Sequence, residues 1–130
     1  MSDEVQLLKR LYGLFNARDI EAALACMHED VVWANGMEGG HVHGRNGVRD
    51  YWTRLWATID PHVEPLEFSD GPEGELLVDV HAVVRDLNAN PLSDRMVGHA
   101  FRIERGLVRR FDIRDPAADS LPLPRPASGD

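Results

Sequence analysis

Six histidines stand among twenty-two carboxylates in this 130-residue chain, and His99 is the one set where an imidazole can do chemistry. It shares strand parity with Val97, Phe101 and Ile103, so alternation turns it the same way as three apolar side chains. Burial among such neighbours keeps the ring neutral, the form that serves as a general base near pH 7. The plainer alternative is a core histidine bonded to a backbone carbonyl or a buried water. Asp115 follows Ile113 on the same parity at the end of the last expected strand, where it would orient His99. A surface carboxylate is its plainer reading.

Asn35 cannot take a proton, but its amide can hydrogen-bond a substrate carbonyl. It alternates in phase with Trp33, and the two are the pocket candidates of the first expected strand. Tyr12, Trp33, Trp52, Trp56, Phe101 and Phe111 would form a cage for an aromatic or polycyclic ligand, with Ile113 on the face of Phe111. Core packing explains Trp52 and Trp56 equally well, because they recur at helical spacing. His41 and His43 would project from one side of an extended segment, as paired metal ligands do, but no cysteine or nearby carboxylate completes a set. Their flanking glycines suggest a lid instead, with His43 near the pocket rim. Cys26 reads as a buried structural thiol. These residues call for no metal and no cofactor.

Elements must position those side chains. Val5, Leu8, Leu11, Tyr12 and Phe15 mark an amphipathic helix over residues 3 to 16. Asp19 is a suitable N-cap for a second helix carrying Ile20, Ala23, Leu24 and Met27 and stopping near His28. Val31, Val32 and Trp33 form a short β-prone run, followed by a glycine-rich loop from Asn35 to Gly44. Asn46 and Gly47 open a third helix along Val48, Tyr51, Trp52, Leu55, Trp56 and Ile59, which Asp60-Pro61 ends. Residues 62 to 68, 75 to 88, 93 to 104 and 107 to 115 are strands with short turns between them, so they are antiparallel neighbours. One face of that sheet is apolar; the other carries Asp79, His81, Arg85, Arg102, Arg110, Asp112 and Arg114.

Composition bounds the rest. At 43% apolar and 28% charged, residues 1 to 115 make one domain around a single core, and the proline-rich residues 116 to 130 read as a disordered tail. Fourteen basic against twenty-two acidic residues leave a net charge of −8, which disfavours nucleic acid and anionic membrane surfaces. The single cysteine and the acidic start suggest a cytoplasmic protein, and no apolar run approaches the roughly twenty residues that a bilayer needs.

Three helices followed by strands describe an α+β domain, with helices on the concave side of a curved antiparallel sheet and a blind pocket between them. This order resembles the nuclear transport factor 2-like superfamily, a cone-shaped cystatin-like roll, and within it the SnoaL-like group. The resemblance is carried by Leu11 to Asp19, Ala23-Leu24, His28 to Trp33, Gly44 to Val48, Phe101 to Ile103 and Gly106 to Val108. Such proteins include isomerases, dehydratases, epoxide hydrolases, polyketide cyclases and transport adaptors.

Carried over residue by residue, the resemblance puts the ketosteroid isomerases' general-base aspartate on Asn35, their oxyanion-donating aspartic acid on His99 and their tyrosine on Leu11. The epoxide hydrolases' final-strand aspartate and tryptophan fall on Ile113 and Phe111, so neither chemistry transfers. The resemblance implies a homodimer through the outer sheet face. The expected function is a pocket for a small hydrophobic organic ligand, with His99 as base or acid and Asn35 polarising a carbonyl in isomerase, cyclase or dehydratase chemistry. The alternative is a non-catalytic binding or assembly module.

Overall fold

The stripe of Leu8, Leu11 and Tyr12 lies buried along helix α1, Asp3–Asn16, as its spacing predicts. The computed structural model describes residues 3–114; Asp115 and the expected tail lie outside the described residues. Helix α1 ends on a clamp. The Asn16 amide donates to the Val63 carbonyl at 2.7 Å and accepts from the Val63 N–H at 3.0 Å, as a neighbouring strand would. Arg18 donates to the carbonyls of Phe15 and Pro61 and pairs with Asp60. Asp19 then caps α2, Ile20–Leu24, by accepting from the Ala22 N–H.

Helix α2 is shorter than its apolar spacing suggests, because Met27 opens strand β1, Met27–Ala34, instead of closing the helix. The cause is tertiary. The Cys26 carbonyl accepts from the Val108 N–H, and Met27 pairs with Val108. Arg45 adds two hydrogen bonds to the Met27 carbonyl, at 2.9 and 2.6 Å. Cys26 is buried, and burial pushes its thiol pKa up.

The expected loop before the third helix contains a strand, β2 (His41–His43), paired antiparallel with β1. Helix α3, Gly44–Thr58, starts two residues before Asn46, buries Val48, Tyr51, Trp52 and Leu55, and stops ahead of Asp60-Pro61. Strands β3 (Asp60–Asp70), β4 (Leu76–Arg85), β5 (Pro91–Glu104) and β6 (Leu107–Arg114) are antiparallel neighbours, as the short turns require. At the β5–β6 turn Arg105 and Gly106 both take positive φ, 54° and 79°, which a two-residue type I′ hairpin demands.

The sheet order is β2-β1-β6-β5-β4-β3: the expected curved sheet of antiparallel neighbours is present, and it is mixed because β1 joins it parallel to β6 with Trp33 beside Phe111. A parallel pair needs a long crossover, which α3 and the four intervening strands supply. Helix α1 packs against β3, and α3 against β1 and β3. The inner sheet face beneath them buries Val78, Val80, Phe101 and Phe111. Among the described residues no helix is long and apolar enough to cross a membrane.

Candidate functional site

Helices and inner sheet face do not close completely: a cavity of about 260 Å³ remains between them. Its walls are mostly aromatic and aliphatic, with Trp33, Trp52, Phe101 and Phe111 drawn from β1, α3, β5 and β6. Trp33 and Phe111 pack at 4.3 Å between ring centroids, and Phe101 lies 5.1 Å from Phe111. Ile113 reaches the cavity from the end of β6, close enough to Gly36 that a Cβ there would come within 2.9 Å of it.

His99 sits in this wall, opposite Ile113 on β6 and edge-on to Phe111 at 4.7 Å. Tyr12, from α1, places its hydroxyl 2.6 Å from His99 Nδ1, with the two rings parallel within 4°. Burial raises the Tyr12 pKa well above the ordinary phenol value and lowers that of His99 to about 3. His99 keeps some accessibility because it lines a cavity, yet apolar protein surrounds it closely enough to exclude the charged form. Both groups are therefore neutral at pH 7.

Polar satisfaction then selects the tautomer. If the Tyr12 O–H donates into Nδ1, the ring proton resides on Nε2, and no polar group of this pair is stranded except an Nε2–H in a cavity wall. The opposite tautomer leaves the Tyr12 O–H without an acceptor, since the described residues offer it no other. Nε2 has no partner among the described residues, so the pair presents one free donor.

Of the residues expected from the sequence, His99, Tyr12, Trp33, Trp52, Phe101, Phe111 and Ile113 all line the cavity. Asn35, Trp56 and His43 do not. The Asn35 side-chain Oδ1 accepts from the N–H groups of Met37 and Glu38, and its Nδ2 donates to Glu38 Oε1, so its side chain shapes the β1–β2 turn. Trp56 packs on Phe15 and Trp52 beneath the Arg18 guanidinium, its buried indole N–H unpartnered among the described residues. His43 is exposed and opposite Val32, with His41 on the same outer side. His41 bonds Asp112 at 2.8 Å, so residues 41 to 43 are paired strand and not the expected lid. No group of three or more metal-ligating side chains converges among the described residues.

Among the lining residues not expected from the sequence, three carry polar or charged side chains: Tyr51, Ser93 and Arg95. Tyr51 accepts from the Gly36 N–H at 3.1 Å, and burial raises its pKa. Arg95 was legible from parity, since it alternates with Val97 and His99. The outer sheet face, expected to meet unlike charges on a second copy, already pairs many of its charges within the chain. His81 bonds Asp94 at 2.6 Å, Arg110 bonds Asp112 at 2.8 Å, and Arg114 bonds the buried Glu75 at 2.8 Å.

A sequence model of the SnoaL-like domain matches residues 8–111. A solved nuclear transport factor 2-like protein of unknown function from Burkholderia pseudomallei is similar over 92% of this chain and 95% of its own, with 26% identity and a TM-score of 0.77. TerC, crystallised with polyporic acid, is similar over 92% of this chain and 95% of its own, at 22% identity and a TM-score of 0.77. A Mycobacterium tuberculosis protein in complex with estradiol-17β-hemisuccinate covers 87% of this chain and 93% of its own, at 17% identity and a TM-score of 0.74. The last two likenesses speak for the fold alone. No curated protein matches the sequence.

Proposed function

The chain belongs to the SnoaL-like domain family of the nuclear transport factor 2-like superfamily, and from that premise we propose that its cavity binds a small, hydrophobic, carbonyl-bearing organic molecule. The observation that carries this reading is the neutral Tyr12–His99 pair in an apolar wall, with Nε2 free. His99 Nε2–H donates to the ligand's carbonyl oxygen, while Tyr12 holds the imidazole in that tautomer and orientation. Asn35 is committed to its turn, so the polarising role first given to it passes to His99. The Tyr12 hydroxyl occupies Nδ1. Ligands recorded with similar folds, polyporic acid and a steroid ester, are of the kind such a cavity suits.

A donor aimed at a carbonyl oxygen stabilises negative charge that develops there, which is the acid half of an isomerisation, cyclisation or dehydration. His99 acts in this reading as a neutral donor. It takes up a proton only when a ligand brings negative charge beside the ring, because burial alone opposes it. One observation favours the non-catalytic alternative: among the described residues, no carboxylate lines the cavity to receive a carbon-bound proton. The same reading joins two copies through the outer sheet face, as the family resemblance implies.

A thermal-shift screen of aromatic polyketides, steroids and terpenoids tests the proposal, since a ligand that prefers the folded chain raises its apparent stability. Carbonyl-bearing hits are expected to bind His99→Leu, which has no donor, roughly tenfold more weakly, the value of one hydrogen bond near 1.4 kcal/mol. Equal affinity for the variant overturns the role of His99. Where a hit is also turned over, full turnover by His99→Leu removes the acid role.

A further inference from the structure

The cavity has two polar ends. Arg95, Val97 and His99 alternate along the inner face of β5, so Arg95 and His99 lie four residues, roughly 13 Å, apart along the strand. Arg95 and Ser93 line the end near the β4–β5 hairpin, where both are exposed, while His99 lies deeper among aromatic rings. Arg95 is the sole charged residue in the described lining. Seven other described arginines each hold a carboxylate within 4.0 Å and Arg45 is committed to the Met27 carbonyl, while Arg85 and Arg105, which hold none, do not line the cavity. Arg95 faces the cavity with no ion pair or hydrogen bond to any described residue.

We propose that Arg95 gives the cavity a charge preference: its ligand is an elongated ring system with a neutral oxygen at the His99 end and an oxyanion, such as a carboxylate, at the mouth. This rests on the cavity being a ligand site and adds the ligand's polarity and direction of entry. The chemistry of the two ends enforces that direction. The deep end offers one neutral donor in an environment that expels charge, so an ionised group entering first would lose its hydration for a single hydrogen bond. The mouth offers a guanidinium that matches an oxyanion in two-pronged fashion and stays hydrated meanwhile. In a chain of net charge −8, an anion is repelled by most of the surface, so an unpaired cation at the entrance marks where it is tolerated.

The probes are 6-hydroxy-2-naphthoic acid and its methyl ester, which share two rings and a hydroxyl and differ in charge at the far end. Calorimetric titration at pH 7 is run on the full chain and on Arg95→Gln, whose exposed position leaves folding intact. The acid is expected to bind the unaltered chain about fivefold more tightly than the ester, a preference suited to an exposed pair. Arg95→Gln and 0.5 M salt should each abolish that preference, so that acid and ester bind alike. Equal binding of acid and ester, or a preference that survives Arg95→Gln, overturns the charge selection while the ligand site stands. If neither probe binds, the site reading falls and this inference with it.

Discussion

One sheet presents two histidine environments, and the contrast shows what an imidazole is allowed to do on each side. Inside, His99 meets a neutral phenol at 2.6 Å and is surrounded by Phe101 and Phe111, so burial sets its state. Outside, His81 and His41 meet the carboxylates of Asp94 and Asp112 at 2.6 and 2.8 Å. Alternation alone separates them, since β4 and β5 send successive side chains to opposite faces. The inner face holds its one histidine by excluding water, whereas the outer face holds His81 and His41 by hydrogen bonds to carboxylates, in solvent that weakens every such contact.

The largest expected effect falls on the inner side. Trp52 is 1% exposed and packs edge-on to Trp33 and Phe15, bridging α3 to the cavity wall. Trp52→Ala removes those contacts and leaves a void that the rigid sheet cannot fill, at a cost of about 3–5 kcal/mol in denaturant unfolding. A cost below about 1 kcal/mol would mean that the wall is loosely packed, and the contrast between the faces would lose its basis.

Much of this division was legible from residue order. The stripe of α1, the three helices, the four antiparallel strands and the parity of His99 followed from periodicity and turn chemistry, because those signals are local. The parallel contact of β1 with β6 was not, since Met27 and Val108 are distant in sequence and only the tertiary fold pairs them. The fate of Asn35 was also hidden: the type of residue permits a carbonyl contact or a turn, and Met37, Glu38 and Gly40 around it decide for the turn. Several residues that carried the family resemblance are clamps. Asn16, Arg18 and Asp19 hold α1 and α2 to β3 and each other, and Arg45 holds β1 to α3. The resemblance therefore reports architecture well, while the cavity chemistry depends on a pair, Tyr12 and His99, separated by 87 residues.

The next effect is a pH dependence that belongs to the inner histidine. Its pKa is lowered from 6.5 in the unfolded chain to about 3 in the folded one. Between those values the unfolded chain binds the proton and the folded chain does not, so stability is present above pH 6.5 and is lost as pH falls toward 3. The slope is one proton, about 1.4 kcal/mol per pH unit at most. Lowered carboxylates such as Asp112 also lose stability in acid, so the measurement is the difference between the unaltered chain and His99→Leu. That difference should change with pH from 6.5 downward and be flat above it. An identical acid profile for the two chains would mean that His99 is readily protonated in place, and burial would no longer set the state of the inner histidine.

The smallest effect falls on the outer side and sharpens the comparison at its other end. His81 and Asp94 leave 41% and 69% of their side chains exposed, so breaking their contact should cost less than about 1 kcal/mol. Asp94→Asn is expected to shift the unfolding midpoint slightly at low salt and not at all in 0.5 M salt, where the Debye length shrinks to a few ångströms. The cost stays small only while solvent reaches the pair. A second copy seated over this part of the face would remove that solvent, and breaking a buried pair from one side leaves an uncompensated charge costing about 3–5 kcal/mol. Unfolding measured at two protein concentrations, with sedimentation velocity alongside, separates these cases. A small, salt-sensitive cost that is independent of concentration leaves the pair outside any interface, even if the chain sediments as a dimer. A large cost that grows with concentration places the pair beneath the partner copy, and the outer face would then resemble the inner one in being dry.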